Sequence, residues 1–422
     1  MNINKNCRWV LASAVGTLLG NQSQASDTDW RAESGVRYYS EDGRVTSIEP
    51  VLQLSNTNVQ ARTININIAF DSLSGASPNG AAISDEVQTF TSTSGGEARS
   101  TGSARDSDDD DDDEYEEGAV SQYHAKPGEV PLDPNFSDQR FAFSMNLSQP
   151  LSRTLETSFG ISYSQETDYQ SVGLNGGGTF LMNQKNTQLG VFLGIEKDDI
   201  SPIGGTPLGL SSKSDEIKVN NSENKLVLDM LVSLTQNLSP NAIGQINYSI
   251  SQSSGYHTDP YKIISIMDEN NLPLDYVFEH RPDRRTKQSL YAAFKAHMLG
   301  DTFEVSYRYM WDDWDLTSHT WESKYRLNLG HFYIQPHYRW YKQSASDFYV
   351  NSLNAIDNAP AFASADYRLG ELSTQTLGGK VSWQFSPGQA LSLRLERYQQ
   401  TGESDAAKMN ATISQISYKW RF

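Results

Sequence analysis

Apolar and polar residues alternate over residues 411–422, the C-terminal stretch ATISQISYKWRF. One face carries Ile416, Tyr418, Trp420 and Phe422, and the other carries Gln415, Ser417, Lys419 and Arg421. A period of two predicts a β-strand. A strand with one apolar face, one charged face and a terminal aromatic residue fits a barrel wall between lipid and a water-filled lumen. The segment alone would also fit an edge strand of a soluble β-sandwich. The pattern of the other strands must therefore distinguish a barrel from a sandwich.

The same alternation recurs along the chain. In residues 62–71 (RTININIAFD), Ile64, Ile66, Ile68 and Phe70 alternate with polar or small residues. Further segments with one lipid-compatible face are residues 140–147, 188–196, 245–250 and 302–312. Counted along the whole chain, such segments predict about sixteen strands, an even number as in single-chain bacterial barrels.

Short and long connections alternate between these strands. The short connections are residues 56–60, 149–153, 183–186, 237–241, 299–301, 330 and 386–389. The long ones are residues 72–137, 198–222, 253–284 and 345–366. Short turns at one end and long loops at the other are typical of outer-membrane barrels, whereas a sandwich would have long loops at both ends.

These patterns predict an all-β fold, a transmembrane antiparallel β-barrel of about 16 strands with short periplasmic turns and long extracellular loops. Tryptophan positions agree with this orientation. Trp311, Trp321 and Trp340 would lie at the outer interface of the membrane, and Trp420 at the inner interface. Amphipathic aromatic rings are favoured at both boundaries of a bilayer.

The N-terminus predicts a secretory signal peptide, residues 1–25, followed by the barrel, residues 26–422. Lys5 and Arg8 precede an apolar run at residues 9–19, and Ser23-Gln24-Ala25 supplies a small-residue cleavage site. The apolar run is shorter than the roughly 20 residues of a membrane helix. The single cysteine, Cys7, lies in this segment, so no disulfide is expected in the exported chain.

Negative charge is concentrated in one block. The formal net charge is −18, and residues 106–117 carry ten acidic side chains. Such a block repels itself, so we expect a disordered segment within the long extracellular loop at residues 72–137. Clustered carboxylates also attract divalent cations, but the spacing of an EF-hand is absent, and the metal question stays open. The negative net charge of the chain argues against nucleic-acid partners.

Residues 71–81 (DSLSGASPNGA) predict a structured loop that folds into the mouth of the barrel. Its turn-forming and neighbouring positions are Ser74, Gly75, Pro78, Asn79 and Gly80. Glycine, proline and asparagine impose a defined path on the backbone. Ser74 or Ser77 could be considered as nucleophiles, but the G-x-S-x-G elbow of hydrolases is absent.

Several short motifs resemble an uncharacterised bacterial outer-membrane barrel family, domain of unknown function 3570. They are SGASPNGA at 74–81, FSDQR at 136–140, ETDYQS at 166–171, DPYK at 259–262, RPDR at 281–284, DDWDLTSHT at 312–320, QPHYR at 335–339 and DYRL at 366–369. The resemblance covers nearly the whole exported chain. It implies an outer-membrane barrel, and the genetic neighbourhood of the family implies a periplasmic redox or metal pathway. It implies no cofactor and no catalytic residues.

The candidate site at the mouth of the lumen consists of charged residues at strand positions whose side chains should face inward. As ligand-binding or selectivity residues we expect Asp71, Asp138, Arg140, Glu166, Asp168, Arg284, Asp312, His319 and Arg339. Three interpretations are open: salt-bridge networks that tune ion selectivity, a ligand or metal site on the acidic side, or a hydrolase. The hydrolase would use Asp312, Asp313 and His319 as acid, base and water-positioning groups. No zinc-binding motif such as H-E-x-x-H is present.

The expected function is to pass or bind a small solute or ion, with a charged lumen, a loop-gated mouth and weak cation preference. The alternative is a ligand- or metal-binding barrel accessory to a periplasmic redox or metal pathway, and an enzyme is not expected. The expected partners are outer-membrane lipid, divalent cations, periplasmic redox proteins and the insertion machinery, which would recognise the strand ending at Phe422. The expected location is the outer membrane of a Gram-negative bacterium.

Overall fold

The computed structural model describes residues 30–92, 122–270, 272–355 and 360–422. The predicted signal peptide, residues 1–25, and the acidic block, residues 106–117, lie outside the described residues. Within the described ranges, no helix combines the length and apolar character that a bilayer-crossing helix requires.

Sixteen antiparallel strands form a closed barrel. In order around the barrel they are β1 (Trp30–Glu41), β2 (Thr46–Thr57), β3 (Thr63–Pro78), β6 (Leu132–Pro150), β7 (Leu155–Gln165), β8 (Tyr169–Met182), β9 (Thr187–Ile200), β12 (Glu223–Ser239), β13 (Ala242–Gly255), β16 (Arg284–Met298), β17 (Asp301–Asp312), β18 (Thr317–Leu329), β19 (Phe332–Gln343), β21 (Leu372–Ser386), β22 (Gln389–Gly402) and β23 (Met409–Arg421).

The other strands are short and lie in the connections. They are β4 (Gln88–Thr91), β5 (Gln122–Ala125), β10 (Thr206–Pro207), β11 (Lys218–Asn220), β14 (Ile263–Met267), β15 (Pro273–Phe278) and β20 (Leu353–Asn354). Four 3-10 helices span Asn183–Lys185, Lys213–Asp215, Tyr367–Leu369 and Asp405–Ala407.

The C-terminal strand closes the barrel. β23 pairs with β22 on one side and with β1 on the other, where Arg31 lies opposite Arg421. It is therefore not an edge strand, and the sandwich alternative is excluded. Its side chains alternate as the sequence predicts, since Ile416 is 58% exposed and Ser417 only 5%.

The outward face of the wall is apolar. Along β9 and β12, Leu193, Ile195, Leu226 and Leu228 are all exposed. Between them on β12, Val227 is fully buried on the lumen side. A continuous exposed apolar surface of this kind is stable next to lipid hydrocarbon rather than water, which confirms the predicted transmembrane barrel.

The connections differ between the two ends of the barrel. At one end, here the turn end, every connection is short, and the longest is residues 58–62. At the other end, here the loop end, lie the connections 79–131, 201–222, 256–283 and 344–371. The predicted alternation of short turns and long loops is confirmed.

The first long connection is shorter than predicted because its flanking strands are longer. β3 continues to Pro78 and β6 begins at Leu132, so residues 72–78 and 132–137 are paired strand rather than loop. The register shifts between Gly75 and Ser77, and Gly75 has a φ of 136°. A Cβ atom on Gly75 would lie 2.5 Å from the Arg44 carbonyl oxygen. Glycine here permits a β-bulge and a close approach, not a turn.

The long connections fold together into a cap. We call residues 79–92, 122–131, 201–222, 256–270, 272–283, 344–355 and 360–371 the loop cap. β14 pairs with β15 and with β20, which joins two of these connections in one sheet. Buried apolar clusters extend these contacts. Phe90 and Tyr123 of the first long connection pack with Ile263 and Phe278, Ile264 and Val277 pack with Ala363, and Trp314 of the short connection between β17 and β18 packs with Phe348 and Leu369. The cap thus has its own hydrophobic core above the barrel.

Candidate ligand site at the mouth of the barrel

Five charged residues, of which Glu279 and Asp366 are buried and the others half-buried, form a cluster that ties two connections of the loop cap together. We call Asp259, Glu279, Arg281, Asp366 and Arg368 the cap cluster. The Arg281 guanidinium donates to Glu279 Oε2 at 3.0 Å and to Asp366 Oδ2 at 2.9 Å. The Arg368 guanidinium donates to Asp366 Oδ1 at 2.8 Å and to Asp259 Oδ2 at 3.0 Å. Asp366 thus holds arginines from both connections, residues 256–283 and 344–371.

The electrostatics of the cap cluster follow from this pairing. Burial disfavours ionisation of Asp366, but the charges of Arg368 and Arg281 outweigh burial and hold its pKa well below the usual range. Burial raises the pKa of Glu279, and Arg281 only partly compensates. Removing one member of a buried ion pair typically costs about 3–5 kcal/mol. The cap cluster is therefore a strong constraint on the position of the cap.

Lys262 fastens the loop cap to the wall. Its buried ammonium donates to the carbonyl oxygen of Pro78, the last residue of β3. Burial lowers the pKa of Lys262, and nearby Asp259 and Asp366 act in the opposite direction. Two residues after Pro78, Gly80 lies so close to Ile263 that a Cβ atom would be 2.4 Å from the Ile263 carbonyl oxygen. The segment after β3 therefore docks directly on the cap.

The predicted structured loop divides between the wall and the loop cap. Ser74, Gly75 and Pro78 belong to β3, contrary to expectation, and Asn79 and Gly80 belong to the cap. Asn79 Oδ1 accepts from the Ala81 amide at 2.8 Å, and its Nδ2 donates to the Tyr123 hydroxyl at 2.9 Å. These hydrogen bonds give the cap segment a defined path.

A cavity of about 1040 Å³ lies between the loop cap and the inward face of the wall. Four of the predicted site residues line it: Asp138, Glu166, Asp168 and Arg339. Asp168 sits between β7 and β8, where the Tyr261 hydroxyl of the cap donates to it. Burial raises the pKa of Asp168, and the Tyr261 hydrogen bond opposes this effect. The cavity therefore has one acidic corner.

Asp71 and Arg140 face inward but do not line the cavity. They lie directly opposite each other on β3 and β6, and the Arg140 Nε atom donates to Asp71 Oδ2 at 2.6 Å. Asp71 is only 4% exposed. This ion pair joins neighbouring strands and leaves neither charge available to a solute.

The predicted lumen positions of Arg284 and His319 are wrong. Arg285, not Arg284, lines the cavity, and Arg284 is exposed. Ser318 and Thr320 line the cavity from β18, so His319 between them faces outward. Its Nδ1 atom lies 2.6 Å from the Tyr307 hydroxyl. Strand parity explains both errors, because adjacent residues cannot share a face.

The proposed hydrolase group is not assembled. Asp312 is paired with Arg285, whose Nε donates to Asp312 Oδ2 at 2.8 Å, and its other oxygen accepts from the Leu316 amide. Asp313 accepts from the Thr286 amide. With His319 on the outward face, the three residues do not converge on one point. Among the described residues, no group of three or more histidine, cysteine, aspartate or glutamate side chains is arranged to hold a metal ion.

A second charged group lies on the inner wall and joins β18 and β19 with β22, across the intervening β21. We call Glu322, Lys324, His337, Arg394 and Glu396 the wall cluster. His337 Nδ1 lies 2.7 Å from Glu396 Oε1, and its Nε2 lies 3.2 Å from Glu322 Oε1. Lys324 pairs with Glu322, and Arg394 donates to Glu396 at 2.7 Å. The His337 ring thus lies between a carboxylate of β18 and a carboxylate of β22.

Sequence analysis missed Arg308, which lines the cavity from β17. Strand parity could have found it, because Arg308 shares a face with Asp312. It also missed the cap residues Tyr256, His257 and Tyr261, which line the cavity. Burial lowers the pKa of His257 to about 4, so it is neutral at physiological pH. These cap positions carry no periodic signal.

The profile of a family described as "Protein of unknown function (DUF3570)" matches residues 9–419. No curated protein matches the chain in sequence. Solved structures that resemble it include the outer membrane protein OpdK from Pseudomonas aeruginosa, with 10% identity, a TM-score of 0.41 and coverage of 94% of this chain and 99% of that chain. CdiB from Acinetobacter baumannii has 8% identity, a TM-score of 0.48 and coverage of 94% and 60%. OccK2 (OpdF) from Pseudomonas aeruginosa has 8% identity, a TM-score of 0.42 and coverage of 95% and 100%.

Proposed function

The chain belongs to the family described as "Protein of unknown function (DUF3570)", and we propose that it is an outer-membrane barrel that admits or binds a small solute beneath its loop cap. The observation that carries this proposal is the cavity between the cap and the wall. Its volume of about 1040 Å³ is at the upper end of the range for small-molecule sites, about 300–1,000 Å³.

Charge is distributed unevenly around this cavity, which supports a role in solute recognition. Asp138, Glu166 and Asp168 lie at the loop end of β6, β7 and β8. Arg339 lies on β19, which is eight places from β7 in the sixteen-strand order. In a closed barrel of sixteen strands, eight places means opposite sides. A solute that enters the cavity is thus placed between carboxylates and a guanidinium, and opposed charges in a low-dielectric site select and orient polar solutes.

The orientation in the membrane follows from the different lengths of the connections at the two ends of the barrel. In this proposal the turn end faces the periplasm and the loop cap faces the exterior of a Gram-negative bacterium. The exposed aromatic rings of Trp383, Phe385 and Tyr418 contact one another along the outward face near the turn end, which suits the inner interface. β23 with Phe422 would be the segment recognised by the insertion machinery, and divalent cations would collect at the acidic corner.

Single-channel conductance of the full chain in a planar bilayer tests the proposal, measured with and without divalent cations. We expect a barrel that resists heat in detergent and conducts weakly while the cap cluster is intact. The double variant Arg281→Gln/Asp366→Asn should conduct in larger steps because the cap is released. If neither protein conducts and neither binds any solute from a panel of small organic ions, the proposal is wrong.

A further inference from the structure

The cavity has more positive than negative side chains, although the chain as a whole is strongly acidic. Nine lysines and arginines and seven aspartates and glutamates line it, whereas the formal net charge of the chain is −18. The excess of positive charge is therefore a local property of this site. Unlike the acidic corner, it favours an anion.

Most of the cavity arginines are already paired. Arg281 and Arg368 belong to the cap cluster, and Arg285 binds Asp312. Arg308 and Arg339 differ, because among the described residues no carboxylate lies within ion-pair distance of either guanidinium. Arg308 only stacks over the Tyr291 ring, 5.6 Å from its centroid. The buried Nε atom of Arg339 has no hydrogen-bond partner among the described residues.

The carboxylate that neighbours Arg339 in the strand register already contacts other basic side chains. Glu322 lies directly opposite Arg339 across the β18–β19 pair. Its carboxylate is bound by Lys324 and by His337 of the wall cluster. Burying an unpaired charge is costly, so an unpaired guanidinium facing a cavity is a candidate for an external anion.

Strand register brings the two unpaired guanidiniums to one patch. Arg308 lies opposite Thr320, which lies opposite Tyr341, two residues from Arg339. Strand spacing and rise place the two Cα atoms about 12 Å apart, a distance that two extended arginine side chains can span.

An apolar surface adjoins this patch. β21 and β22 follow β19 around the barrel, and from them and β23 the side chains of Leu372, Tyr398 and Met409 line the same cavity. Tyr398 and Met409 pack together with Ala411. The patch therefore combines two unpaired cations with an apolar and aromatic neighbour.

We propose that Arg308 and Arg339 bind the carboxylate of a small organic acid whose apolar body packs against Tyr398 and Met409. This inference rests on the proposed function, since it names the class of solute for the same cavity. The planar guanidinium presents paired N–H groups that match the two oxygens of a carboxylate. The apolar wall distinguishes an organic acid from an inorganic anion, which would gain nothing from it.

Calorimetric titration of the full chain in detergent micelles with benzoate tests this site. Benzamide is the neutral counterpart of the probe, and inorganic phosphate is the anion without an apolar body. The variants are Arg308→Gln, Arg339→Gln and Arg339→Lys, and heat-modifiable migration on gels verifies that each barrel is folded. Arg326→Gln is the matched control, because Arg326 also lacks a carboxylate partner among the described residues, but it is held by Asn328 and does not line the cavity.

We expect saturable benzoate binding that weakens about tenfold or more in either glutamine variant and is unchanged in Arg326→Gln. The lysine variant should bind with intermediate affinity, because it keeps the charge and loses the paired donors. Equal benzoate binding by all variants, no saturable binding, or phosphate binding as tight as benzoate would overturn the inference. None of these results would decide the proposed function, which the conductance of the barrel tests separately.

Discussion

The cap cluster and the wall cluster each contain five charged or titratable residues. The first joins connections of the loop cap, and the second joins strands of the barrel. In the cap cluster, Asp366 joins arginines on two connections that no barrel strand pairing holds together. In the wall cluster, His337 joins Glu322 and Glu396 on strands whose backbones already belong to one closed sheet. Ion pairs therefore add to the β14–β20 pairing and the apolar clusters that hold the cap together, whereas those of the wall cluster mainly set the charge that the lumen presents. Loss of a pair should loosen the cap in the first cluster and leave the barrel wall in place in the second.

The largest effect is expected from Asp366→Asn. The change removes the buried charge shared by Arg281 and Arg368, and leaves two half-buried cations competing for the remaining carboxylates. We expect a loss of about 3–5 kcal/mol in the stability of the closed cap, seen as rapid proteolysis of the cap while the barrel stays heat-modifiable.

The matched control is Glu371→Gln, which removes an ion pair between Glu371 and Lys342 at the edge of the cap. Both side chains are more than half exposed, and exposed pairs contribute little. Equal proteolysis of Asp366→Asn, Glu371→Gln and the unchanged protein would show that the cap cluster does not hold the cap.

The next-largest effect should distinguish Asp71 from Asp168, which the sequence pattern places in the same candidate site. Asp71→Lys places a second cation beside Arg140 in the wall and should reduce barrel stability by about 3 kcal/mol or more with little change in ion selectivity. Asp168→Lys reverses a charge that lines the cavity and should shift selectivity towards anions by about twofold or more, with an assembled barrel. Reversal potentials and heat-modifiability measured on both variants check this. A larger selectivity change for Asp71→Lys would contradict the assignment of the cavity lining.

A smaller effect is expected from His337→Gln in the wall cluster. Glutamine can bridge Glu322 and Glu396 only weakly, so both carboxylates become more available to cations in the lumen, while the backbone ladder keeps the strands in place. We expect normal assembly and about a twofold shift of permeability towards cations, measured by reversal potential in a salt gradient. Failure of the variant to assemble would mean that the wall cluster is needed for the fold.

The smallest effect concerns pH and Asp168. Because burial raises the pKa of this carboxyl in the folded protein, its contribution to stability is fully present below its ordinary pKa and is lost as pH rises through the folded value. Asp168→Asn keeps an oxygen acceptor for Tyr261 and cannot ionise. The variant should unfold at a higher temperature than the unchanged protein at neutral pH, and the difference should shrink in acid. A difference that grows in acid would contradict this sign.

Part of the site could be predicted from strand parity alone. Parity correctly placed Asp138 and Arg339 on the inward face, and Arg308 could have been found in the same way. It failed where it was not applied strictly: Arg284 and His319 are each adjacent to the residue that does face inward. Turn-forming residues were also ambiguous, because Gly75 makes a β-bulge inside β3 where a loop was expected.

The cap cluster illustrates the part that could not be predicted. Four of its five residues, all except Glu279, lie in the short motifs 259–262, 281–284 and 366–369, so the sequence drew attention to them. Their pairing joins positions such as Arg281 and Asp366, which are 85 residues apart. No local spacing encodes a contact of this kind, and loops carry no period from which a facing direction follows.

The sequence by itself determined the barrel, because lipid on one side and a polar lumen on the other impose a period of two on every wall strand, and the short turns set the connectivity. Only the tertiary structure decided that the long connections form a folded cap and that Asp71 forms an ion pair with Arg140. It also decided that Arg308 and Arg339 face one cavity without an ion-pair partner among the described residues. The physical reason is that barrel strands are specified by their environment, residue by residue. Ion pairs and cavities are instead specified by which distant segments meet.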